Sequence, residues 1–85
     1  MPKTKKNLDF YVKNFSNFSE RLPWKYFVKV LTAHYGFEME NSRRGSARLF
    51  IQKEIRFTAH EPHGRENFVA KIDRKKAIKF IGLIK

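Results

Sequence analysis

The 85-residue chain contains no cysteine, which excludes a disulfide framework and any zinc site built on thiolates. That absence is compatible with a reducing, cytoplasmic setting. Long apolar runs are missing too. No stretch approaches the length of a membrane span, and no apolar segment follows the charged N-terminus, so a secretory leader is not expected. Acidic residues are scarce: eight Asp and Glu stand against nineteen Lys and Arg, a formal charge of +11. So large an excess on a small body argues for a polyanionic partner, with nucleic acid ahead of an acidic protein. An anionic membrane is disfavoured, because no strongly basic helix of the interfacial type is evident. Repeats and low-complexity tracts are lacking as well.

Aromatic residues are plentiful. Nine Phe, three Tyr and one Trp make up 15% of the chain. A small domain has a high surface-to-volume ratio, and large rings bury much area at little rotamer entropy.

The first six residues form a basic tip (Lys3, Lys5, Lys6). Leu8, Tyr11, Val12, Phe15 and Phe18 then recur at helical spacing, with Asn7 as N-cap. Pro23 suits the first turn of a second helix with the stripe Trp24, Phe27, Val28, Leu31 and Tyr35, stopped by Gly36. Phe37 and Met39 alternate with Glu38 and Glu40 in a short strand, followed by a polar turn from Asn41 to Gly45. A second strand is predicted from Ser46 to Lys53. A third runs from Ile55 to His60, with Ile55, Phe57 and Ala59 on one face and Arg56, Thr58 and His60 on the other. After a loop at Pro62 and Gly64, Asp73 is expected to cap a last helix. There Ala77, Phe80, Ile81 and Ile84 line one side, Arg74, Lys75, Lys76 and Lys79 line the other, Gly82 closes the helix and Leu83 folds back.

The predicted class is therefore α+β: α-β-β-β-α over residues 22–85, preceded by a tip and an extra helix in residues 1–21. A three-stranded antiparallel sheet needs helices over its apolar face. With both helices on one face, this is the architecture of double-stranded-RNA-binding domains.

From Leu22 onward the chain resembles the HicA family. The matching features are Gly36-Phe37 after a helix, then Arg43-Arg44-Gly45-Ser46-Ala47-Arg48-Leu49-Phe50 against that family's Gly-Ser-His-x-x-aromatic signature. A third strand leads into a histidine-bearing loop, Ile55 to Glu66, and a last helix ends at Gly82-Leu83. The resemblance covers about three-quarters of the chain. It implies a metal-independent endoribonuclease, an mRNA interferase needing no cofactor, held inactive by a HicB-like antitoxin. It also implies that Ala47 stands where the family carries its catalytic histidine. Alanine transfers no proton. Either the chain is a naturally inactive relative that keeps the RNA or antitoxin surface, or it was disarmed by substitution; the intact surrounding motif favours the second.

The chemistry of RNA cleavage agrees with these residue types. The 2′-OH is a built-in nucleophile, so the protein need only remove one proton and help the leaving oxygen, work that suits histidine. His60 is a secondary candidate for proton transfer or phosphate contact, whereas His63 and His34 read as surface residues. Arg43, Arg44, Gly45, Ser46, Arg48 and Arg65 are expected around the phosphate, and Lys75, Lys76 and Lys79 along the RNA backbone. His60 and His63 alone cannot make a metal site, and no cysteine completes one. A non-catalytic double-stranded-RNA-binding module is the alternative, and a small DNA-binding protein ranks last.

Overall fold

The structure is a computed structural model and describes residues 7–41, 45, 47–62 and 67–84. In chain order it contains α1 (Leu8–Lys13), α2 (Trp24–Lys29, continued by a π-helical turn Val30–His34), β1 (Glu38–Asn41), β2 (Ala47–Gln52), β3 (Ile55–His60) and α3 (Lys71–Ile81). The strands form one antiparallel sheet in the order β1-β2-β3. This is the α+β order that the residue spacing predicts, with an additional helix in front. Among the described residues no helix is long and apolar enough to cross a membrane.

Alternation along β2 and β3 decides which face the helices cover. Phe50 and Phe57 lie directly opposite each other in register, and both are buried. Their rings stack at 5.4 Å. Phe50 meets Trp24 and Phe27 of α2 edge-on at 6.2 and 5.7 Å, while Phe57 stacks on Phe80 of α3 at 5.2 Å. Each such pair adds about 1 kcal/mol beyond the area it buries. Ala59 and Ala77 are fully buried on β3 and α3, which pack together.

The apolar spacing predicts a first helix as far as Phe18, but α1 stops at Lys13. Asparagine side chains compete for the backbone there. Asn14 Nδ2 donates to the Phe10 carbonyl at 2.8 Å, Asn17 Nδ2 to Asn14 Oδ1 at 3.1 Å, and the Ser19 N–H to Asn17 Oδ1 at 3.2 Å. Asn7 caps the helix as expected, its Oδ1 accepting from the Phe10 N–H at 3.0 Å. Tyr11 and Phe15 enter the same core as Phe27 and Phe50, whereas Phe18 stays exposed.

Gly36 ends the second helical segment with φ +78°, a left-handed conformation. The following Phe37 N–H donates back to the Leu31 carbonyl at 2.8 Å, as in a glycine-terminated helix. Gln52 Nε2 donates to the Tyr35 carbonyl, tying this end to β2. A Cβ at Gly36 would sit 3.0 Å from Gln52 Nε2. Gly36→Ala is therefore expected to lower stability by about 2 kcal/mol, from left-handed strain and crowding combined. A shift of the urea midpoint at unchanged slope would register it.

Three further details differ from expectation. β1 is a four-residue edge strand exposed along its length, so Met39 is not buried with Phe37. α3 starts at Lys71, placing Asp73 third in the helix instead of at its cap. Leu83 does not fold back and is 57% exposed; Ile84 packs against the core instead. The largest difference is Arg74, expected in solvent but buried.

Candidate nucleic-acid interface

The face of the sheet opposite the helices carries Glu38 and Glu40 from β1, Ala47, Leu49 and Ile51 from β2, and Arg56, Thr58 and His60 from β3. Ala47 lies directly opposite His60 in the β2–β3 register. Opposed residues in an antiparallel pair have Cβ atoms about 5 Å apart. Ala47 is half-buried and His60 exposed. The His60 N–H donates to Oδ2 of the buried Asp73 at 3.2 Å, so the first turn of α3 holds the end of β3 in place.

Arg48, one residue on, alternates to the other face opposite Ala59. Its guanidinium is already engaged. Nη1 donates to the Gly45 and Ala47 carbonyls at 2.9 and 3.0 Å, and Nη2 lies 3.0 Å from Glu61 Oε1. Arg48 thus clamps the start of β2, and a phosphate would compete with Glu61 for it. Gly45 is exposed with φ +56°, and a Cβ there would meet nothing within 4 Å among the described residues. Its positive φ gives the turn a reason for glycine. Arg43, Arg44, Ser46, Arg65 and His63 lie outside the described residues.

The three lysines predicted on α3 divide. Lys75 and Lys79 are exposed and one helical turn apart. Lys76 bends toward the sheet, donating to the Thr58 carbonyl at 3.0 Å and lying 4.0 Å from Asp73 Oδ1. His34 is exposed, its ring edge-on to Tyr35 at 4.6 Å.

Arg74 holds down the segment after α1. Its Nη1 donates to the Glu20 carbonyl at 2.7 Å, and its Nη2 to those of Asn14, Phe15 and Asn17 at 3.1, 2.9 and 3.1 Å. The carbonyls of Asn14 and Asn17 also accept turn bonds from the Asn17 and Glu20 N–H groups at 2.9 and 3.1 Å, and a planar fork of donors can collect several carbonyls at once. Burial pushes the Arg74 pKa down from its ordinary value, and the Glu20 carboxylate pulls it partly back. Phe18 covers this guanidinium, its ring centroid 5.1 Å from Cζ.

Sequence reasoning missed the inward roles of Asp73 and Arg74. Their spacing carries a signal: Asp73 is in phase with Ala77, Phe80 and Ile84, and Arg74 with Ala77 and Ile81. Counting both as polar hid them. Glu61 carried no signal, because its contact with Arg48 depends on the β2–β3 register that sets Ala47 against His60. No protein-family model, curated protein or solved structure matches this chain.

Proposed function

We propose that this chain is a HicA-like RNA-binding protein of the toxin–antitoxin type, acting on mRNA in the cytoplasm and partnered by a HicB-like antitoxin. As written, Ala47 leaves it catalytically silent. The observation that carries the reading is the pairing of Ala47 with His60 on the solvent-facing side of the sheet. A histidine at the first position would stand beside a second imidazole, where one could remove the 2′-OH proton and the other protonate the leaving 5′-oxygen. The charge of +11 supports a polyanionic ligand, and the exposed Lys75 and Lys79 offer contacts to an RNA backbone. An acidic antitoxin surface covering Arg43, Arg44 and the Ala47 region would block substrate by occupancy.

A second reading, a non-catalytic double-stranded-RNA-binding module, is favoured by two features: alanine at position 47, and an Arg48 neutralised by Glu61. Both readings require RNA binding, which a salt titration tests directly. Affinity for an RNA hairpin is expected to fall steeply between about 50 and about 200 mM salt. Replacing Lys75 and Lys79 together by alanine should reduce the log–log salt slope by about 2. Salt-insensitive or absent RNA binding would contradict both readings. Between them, tight binding to the product of an adjacent small gene favours the toxin reading, and strong RNA affinity without any partner favours the module.

A further inference from the structure

We infer that the turn carrying Phe18 and the N-terminal half of α3 form a stacking surface for an unpaired RNA base, Phe18 receiving the base and Lys71 and Lys75 the flanking phosphates. This rests on the RNA-binding reading but concerns a surface separate from the Ala47–His60 face.

Three aromatic rings from the first segment take different fates. Tyr11 and Phe15 are buried at 6% and 4%, while Phe18 is left 37% exposed. Its position is nevertheless well held. The Arg74 guanidinium lies against it at 5.1 Å and hydrogen-bonds the carbonyls of Asn14, Phe15, Asn17 and Glu20, fixing the turn on both sides of the ring. The ammonium groups of Lys71 and Lys75 stand 5.4 and 6.0 Å from the same centroid. A second cation–ring contact lies just ahead of α3: Phe68, 39% exposed, has the Arg21 guanidinium 5.3 Å from its ring. A contact between a flexible, solvated lysine and a ring is weak, so either ammonium can swing to a phosphate at small cost.

The chemistry of the surface favours a nucleotide. A base presents a π-face to the ring while its phosphate presents negative charge to the lysines; an aromatic peptide side chain supplies only the first and an acidic one only the second. Among the described residues here, Arg21, Lys71 and Lys75 are exposed and cationic, while the half-buried Glu20 acts electrostatically on Arg74. Bases inside a duplex are already stacked, so the occupant is an unpaired base at an end, bulge or loop.

The test compares two labelled two-stranded RNA duplexes without loops, one blunt-ended and one with a short unpaired 3′ tail, by fluorescence anisotropy. The wild-type chain is expected to bind the tailed RNA about tenfold more tightly. Phe18→Ala should abolish that difference while leaving blunt-duplex affinity unchanged. Phe18→Trp should keep it and show fluorescence quenching when the tail binds. A melting curve establishes that Phe18→Ala is folded; should it not fold, quenching in Phe18→Trp decides. Equal wild-type affinity for the two RNAs, or a tail preference that survives in Phe18→Ala, overturns the inference and leaves RNA binding itself intact. If a Glu-rich peptide carrying phenylalanine quenches Phe18→Trp and tailed RNA does not, the surface belongs to a protein partner and the inference also fails. Absence of binding to either duplex overturns it together with the RNA-binding reading.

Discussion

Ala47→His is expected to confer RNA cleavage about a hundredfold to ten-thousandfold above the unsubstituted chain, the range a positioned proton-transfer group supplies. The register places the new imidazole directly across from His60 on an exposed sheet face, with the two Cβ atoms about 5 Å apart. In the reaction, the 2′-oxygen bonds to phosphorus as its proton passes to one imidazole. The P–O5′ bond breaks, and the departing oxygen takes a proton from the other. The products are a 2′,3′-cyclic phosphate and a 5′-hydroxyl, distinguishable by end-labelling. Adding His60→Ala to Ala47→His should remove most of the gain. A folded Ala47→His protein that binds RNA without cutting it, and that causes no growth arrest, would refute the toxin reading and leave the non-catalytic module.

The second large effect is structural. Arg74→Ala should destabilise the fold by about 3 kcal/mol, because charge-assisted hydrogen bonds are the stronger kind and their loss takes this donor from the buried Phe15 carbonyl. For a domain of this size that corresponds to a melting temperature lower by about 15 °C. Arg74→Lys should recover only part of the loss: one ammonium cannot reach the carbonyls of Asn14, Phe15, Asn17 and Glu20 as the planar fork does. Amide exchange should quicken through residues 14–20, since the donors holding those turns are gone. A melting temperature within about 4 °C of the parent, equivalent to about 1 kcal/mol or less, would show that Arg74 is not the pin its contacts describe. The two experiments separate cleanly, one acting on an exposed sheet face and the other on a buried side chain.

Taken alone, the sequence determined the α+β class, the order of elements and the β3 boundaries, because these follow from local periodicity and turn chemistry. It placed Phe27, Leu31, Phe57 and Ala77 inside for the same reason, and all four are buried. It also put Ala47 in phase with Leu49 and Ile51, away from Phe50. What it left undetermined depended on meetings between distant segments. Whether Ala47 would face His60 required the hairpin register. Whether Arg48 would be open to phosphate depended on the same register bringing Glu61, just past β3, beside it. Arg74 reads as one more cation in a basic run, and only the docking of residues 14–20 against α3 turns it inward. The cause is common to all three: the partner of a charged group is chosen by tertiary approach, whereas the side of a helix or strand on which it begins is set by local spacing.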